Sequence, residues 1–196
     1  MTRMTNASHP PLAAFPGAAP SSHAAGSPRP RATARALNWA FYWTVAFIAL
    51  HGYWYLGGRV GFGDQADPLP GAPSSLGDWI FSVVVGGMFA AGLAVPSALA
   101  RPWGRRLPRR LLVWSMWIGC AVLVARGGSG LLDDLLRFSG LADGGLTGLN
   151  NEEVLGSAHP STATIVSTLA IDSIFFAGGL LFGHAARLAG SAVKDA

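Results

Sequence analysis

The chain has 196 residues, of which 51% are hydrophobic and only 12% charged, and its mean hydropathy is positive. A soluble domain carries about 25% charged residues, so this composition excludes an ordinary soluble globular domain and points to the membrane. The formal charge of +4 rests almost wholly on arginine, Lys194 being the one lysine. With so much Ala and Gly beside it, that preference reads as a coding bias and not as a nucleic-acid surface.

Residues 1–35 are Pro, Ala, Ser, Gly and Arg with almost no large apolar side chain. Such a stretch cannot bury enough surface to offset its ordering entropy. It reads as a disordered cytosolic tail, and it has no apolar core of the kind a signal peptide needs.

Four apolar segments follow within 36–190, at about 37–56, 79–99, 109–126 and 162–188. About 20 residues of helix cross the hydrocarbon of a bilayer, and the spacing predicts four spanning helices, the third one short. The first ends in "ALHGYWYLGGR", Ala49–Arg59, where His51 stands among aromatics ahead of Gly57 and Gly58. The loop after it is rich in Gly and Pro and leads to Ser75 and Asp78, spaced as a capping box for the second helix. In that helix Gly86, Gly87 and Gly92 form a small-residue packing surface, and Pro96 removes a backbone hydrogen bond.

The inner loop "RPWGRRLPRR" carries Arg101, Arg105, Arg106, Arg109 and Arg110. It reads first as a topology determinant and second as a site for anionic lipid head groups. The third segment holds Cys120 and closes on Arg126; a single cysteine allows no internal disulfide and no cysteine-based metal site. Residues 127–160 read as a long outer loop. Within it "LLDDLLRF" predicts a short amphipathic helix with Asp133 and Arg137 paired at i,i+4, and Asn150 with Glu153 caps another short turn.

Asp172 is the strongest anomaly. It lies well inside the fourth apolar segment with no charged neighbour in sequence. A carboxylate at the bilayer centre costs about 2.5–3.5 kcal/mol on insertion scales, so it has to face protein. Thr168, Asp172, Gly179 and Gly183 share one helical face, and Gly179-x-x-x-Gly183 permits close approach of another helix. His51 and Arg126 are expected at a similar depth, in the outer half of the bundle. With Trp54 they are the candidates for a ligand or proton site beside Asp172; a salt-bridged lock between helices is the alternative reading.

Charge asymmetry sets the orientation. Eleven of the fourteen basic residues flank one side of the apolar segments, and eight of the ten acids flank the other. By the positive-inside rule both termini face the cytosol. Trp39, Trp43, Trp54, Trp79, Trp103 and Trp114 fall near the expected interfaces as an aromatic belt.

No metalloprotease, nucleophile-elbow, P-loop or dinucleotide motif occurs in the sequence, and His51 and His184 lie at opposite ends of their helices, so no catalytic residue, metal or cofactor is expected. "ALHGYWYLGGRVG", an Arg closing the third segment and an Asp in a Phe- and Gly-rich fourth segment resemble the DUF3995 family over about Leu37–Leu188. That resemblance implies a small four-helix bacterial membrane protein, frequent in actinobacteria, and no assigned reaction.

The resulting expectation is an all-α, polytopic inner-membrane protein: a four-helix transmembrane bundle with a disordered N-terminal tail, embedded in the lipid bilayer, with homo-oligomerisation open and no nucleic-acid partner. Its outer polar cluster organises the bundle or binds a proton or small ligand. The alternatives are a subunit of an oligomeric transporter or channel that uses Asp172, and a membrane redox or other enzyme subunit.

Overall fold

A computed structural model describes residues 28–61, 73–142 and 144–194. Among them there is no strand. The elements in chain order are α1 (Pro28–Tyr55), α2 (Leu76–Ala100), a 3-10 turn (Pro102–Arg106), α3 (Arg109–Phe138), α4 (Asn151–Leu155) and α5 (Thr162–Lys194). The expected tail falls mostly outside the described residues, as do Asp64, Asp67 and Asp143.

Two boundaries differ from the sequence reading. Helix α1 starts at Pro28, so Pro28–Arg35 are its first turns and not part of the tail; proline suits a first helical turn, and the alanines and arginines after it favour continuation. Helix α3 runs unbroken to Phe138, so "LLDDLLRF" is its last two turns and not a separate amphipathic helix. Gly127, Gly128 and Gly130 do not end it, because α5 packs directly against that stretch.

The capping signals are seen where the spacing places them. Ser75 accepts from the Asp78 N–H at 3.1 Å while the Asp78 carboxylate accepts from the Ser75 N–H at 2.9 Å, a closed capping box at the start of α2. Asn150 and Glu153 close the same box on α4. Helix α1 stops by a Schellman motif. Gly57 has φ +93°, its N–H donates to the Trp54 carbonyl, and the Gly58 N–H donates to the Tyr53 carbonyl, both at 2.9 Å.

Three helices, α2, α3 and α5, are long and apolar enough to cross a membrane, yet only 11, 17 and 22% of their most apolar windows is buried within the chain. Most of the apolar surface therefore points outward, the inverse of a soluble bundle. α1 falls short of the same standard because Asn38, the tryptophans, the tyrosines and His51 dilute its apolar run.

The helices meet around a core of Leu37, Ala40, Met116, Phe182, Ala185 and Ala186. The most extensive contact is between α3 and α5, with α1 packed on both α2 and α5. Backbone proximity governs the α3–α5 seam. A Cβ on Gly127 would run into the Phe176 N–H and the Asp172 carbonyl of α5, and one on Gly179 into the Val124 backbone of α3. Gly183 likewise sits against the Cys120 sulfur, and Gly119 faces the Phe182 ring. α1 and α2 cross where Gly92 meets Thr44, whose hydroxyl donates to the Ala40 carbonyl at 2.9 Å and approaches the Gly92 carbonyl at 3.3 Å.

The packing role expected of the glycines is thus unequal. Gly179 and Gly183 carry it. Gly57 and Gly58 terminate a helix instead, and a Cβ on Gly86 or Gly87 would meet only open space. Gly127→Leu, pressing on backbone that cannot yield, is expected to cost about 3 kcal/mol or more of stability by overpacking, whereas Gly86→Leu leaves stability close to wild type. Thermal unfolding of the two variants in detergent checks this; equal losses at both positions would contradict the seam.

Candidate functional site

The face of α5 identified by its polar and small residues is the face that meets α3. Asp172 is 6% exposed, and the room for its carboxylate is made by Gly130, where any Cβ would overlap the carboxylate oxygens. From α3 the Arg126 Nη1 donates to the Asp172 Oδ1 at 2.6 Å. The Arg126 guanidinium also lies over the Phe175 ring, 5.1 Å from its centroid. The pair is asymmetric in its surroundings: the Arg126 side chain is 53% exposed and that of Asp172 9%.

His51 and Trp54 are placed elsewhere. The His51 Nδ1–H donates to the Phe47 carbonyl one turn back at 2.9 Å. The ring packs among Phe47, Trp54 and Phe89, with centroids 4.3, 5.0 and 5.3 Å away. The Trp54 indole N–H donates to the Val60 carbonyl at 2.7 Å, which ties the loop after α1 back to the helix. Two rings separate this group from the ion pair: Phe47 meets Phe175 edge-on at 4.9 Å, and Phe175 carries Arg126. The structure brings Arg126 and Asp172 together and holds His51 and Trp54 in an adjoining aromatic layer.

A second charged group lies further out on α3. Asp133 and Arg137 form the expected i,i+4 pair at 2.5 Å, but Arg137 is 4% exposed and therefore sits under the structure and not on a solvated face. It also donates to the Leu149 carbonyl, and the Asp133 Oδ1 accepts from the Leu146 N–H at 2.5 Å. Together the two side chains clamp the loop after α3 onto its own helix end. Asp134, 7% exposed, points toward Thr168 of α5, and its Oδ2 has no hydrogen-bond partner.

Asp134 is the residue that sequence reasoning passed over. Gly127, Gly130 and Asp134 follow one another at offsets of 3 and 4, a helical stripe. It was hidden because the glycines read as a loop. Among the described residues no three His, Cys, Asp or Glu side chains are grouped to hold a metal ion.

The model of a family described as "Protein of unknown function (DUF3995)" matches residues 44–145, from the middle of α1 through α2 and α3 to the loop beyond. No curated protein and no solved structure matches the chain. The matched stretch holds His51, Trp54 and Arg126, while α5 with Asp172 lies beyond it. That stretch is just over half of the 196 residues, and the chain belongs to the DUF3995 family.

Proposed function

We propose that the chain is a four-span integral protein of the bacterial inner membrane, with both termini cytosolic, in which the Arg126–Asp172 pair locks the outer half of the bundle. Three apolar helices of spanning length support the membrane setting. α1 has the length to be the fourth span and packs between α2 and α5. The arginine clusters at one end and the acids at the other support the orientation.

The observation that carries the reading is the 2.6 Å contact between Arg126 and a carboxylate 6% exposed. Measured along α3 from Arg109, Arg126 stands about 25 Å up a hydrocarbon layer of about 30 Å. A buried carboxylate at that level needs a partner, and Arg126 supplies it to Asp172 across the α3–α5 seam. Such a pair fixes the register of two helices more than it adds net stability. A non-enzymatic role follows most directly from this geometry.

The exposure of Arg126 favours one extension. Half of its side chain is left open beside Phe175, so the same pair offers an anchoring point for a small anionic ligand or a coupling site for a proton. Within that extension the chain acts as a subunit of a larger transporter or channel.

The asymmetry of the pair sets the expected mutational pattern. Arg126→Ala strands a buried carboxylate and is the more damaging change. Asp172→Asn keeps a hydrogen-bond acceptor and leaves only a half-exposed arginine side chain, so it is milder. The double variant recovers part of the Arg126→Ala loss, with a coupling of about 1–3 kcal/mol. Thermal unfolding of the four proteins in detergent reads this directly, and additive losses would show that the pair is not a lock. His51→Phe, which keeps the ring packing and forfeits one hydrogen bond, is expected to stay within about 1.5 kcal/mol of wild type.

Topology is checked separately. A reporter fused after Ala196 is expected in the cytosol and one inserted between Ala142 and Gly145 outside; the reverse pattern overturns the orientation, and a split of both to one side overturns the span count.

A further inference from the structure

At the opposite end of the bundle from the ion pair, the chain makes a tight elbow between α2 and α3. Gly104 is buried at its centre, and a Cβ there would collide with the Ala98 carbonyl, so the 3-10 turn is pressed flat against the last turn of α2. The elbow borders a half-open pocket of about 390 Å³, within the roughly 300–1,000 Å³ typical of ligand sites.

Its lining has two kinds of residue. Arg101, Arg105 and Arg109 are among its lining residues, and no lining residue is acidic. Leu99, Leu107 and Leu112 make an apolar wall beside them. Arg109 is steadied by a 3.3 Å hydrogen bond from Nη2 to the Ala189 carbonyl of α5, and Arg101 lies over the Phe41 ring of α1 at 6.0 Å. Two of the three, Arg101 and Arg109, are thus braced against other helices. Arg106 and Arg110, equally basic and in the same loop, do not line the cavity.

We propose that this elbow is a binding site for the phosphodiester head group of an anionic glycerophospholipid. Guanidinium forks match phosphate oxygens two at a time. Basic pockets at the cytoplasmic end of membrane helices are suited to anionic head groups, and the leucine wall gives the glycerol and the first acyl carbons an apolar surface that a free phosphate does not use. The inference rests on the membrane placement of the helices and not on the Arg126–Asp172 pair, which lies at the other end of α3.

The test uses the full chain, purified in a neutral detergent and titrated with short-chain phosphatidylglycerol, with short-chain phosphatidylcholine and with glycerol phosphate. Removing arginines outright would also alter the topology signal, so the key variant is Arg101→Lys/Arg105→Lys/Arg109→Lys, which keeps charge and loses the fork. Phosphatidylglycerol is expected to bind wild type at least tenfold more tightly than phosphatidylcholine, the triple variant to lose fivefold or more of that affinity, and Arg106→Lys/Arg110→Lys to retain it. Equal loss in both variants, or none in either, overturns the site in favour of diffuse charge attraction. Glycerol phosphate binding as tightly as phosphatidylglycerol overturns the lipid assignment and makes the elbow a site for a soluble phosphate ester. A topology reporter unchanged by the lysine variants confirms that they remain inserted as wild type; failure of that orientation itself would be seen in wild type.

Discussion

The close approach of α3 and α5 is the constraint on which the rest of the molecule depends. Without side chains at Gly127 and Gly179 the two backbones come within reach of each other's amides and carbonyls. Dispersion and backbone proximity, not water exclusion, hold helices together in lipid, so the seam is where such a bundle can gain most. The same approach creates the recess at Gly130 that accepts the Asp172 carboxylate, and it places Arg126 one helical step away. A larger residue at Gly127 or Gly179 would part the helices, and one at Gly130 would evict the acid.

The seam also explains why α3 continues so far past Arg126. Its last turns have α5 to lean on, and they deliver Asp133, Asp134 and Arg137 to the place where the loop after α3 returns. A helix end that would otherwise leave carbonyls and charges exposed becomes the anchor for Leu146 and Leu149. One end of the bundle is therefore ordered by charged side chains at two levels, one between helices and one between a helix and its own loop, while the other end is ordered by alanines, Met116 and Phe182.

Much of this was legible in the sequence because it obeys local rules. The two capping boxes, the polar-and-small face of α5 and the need of Asp172 for a partner all follow from spacing and from the cost of burying charge. Depth in the sequence allowed two partners, His51 and Arg126, and did not choose between them; the structure pairs Arg126 with Asp172. What escaped depends on tertiary context. Three glycines and a serine after Arg126 look like a loop until a neighbouring helix is known to need their missing side chains. Gly57 and Gly58 look like a packing motif until their place after the last turn of α1 shows a left-handed stop. His51 shares a depth with Asp172, but its rotation about α1 turns it toward Phe47 and Phe89, and sequence carries no record of how one helix is rotated against a helix distant in the chain.

α2 is attached to the bundle by one end. Thr44 grips it at Gly92, and Pro96 and Ala98 are buried, whereas Ile80, Phe81, Val83 and Val84 stand exposed along its first half. With 25 residues it is about 37 Å long, several ångströms more than the hydrocarbon it would cross. A helix too long for its bilayer responds by tilting. Held as it is near Gly92, α2 has its contacts with the bundle concentrated in its second half, and the apolar side chains of its first half are left for surroundings other than the chain itself to cover.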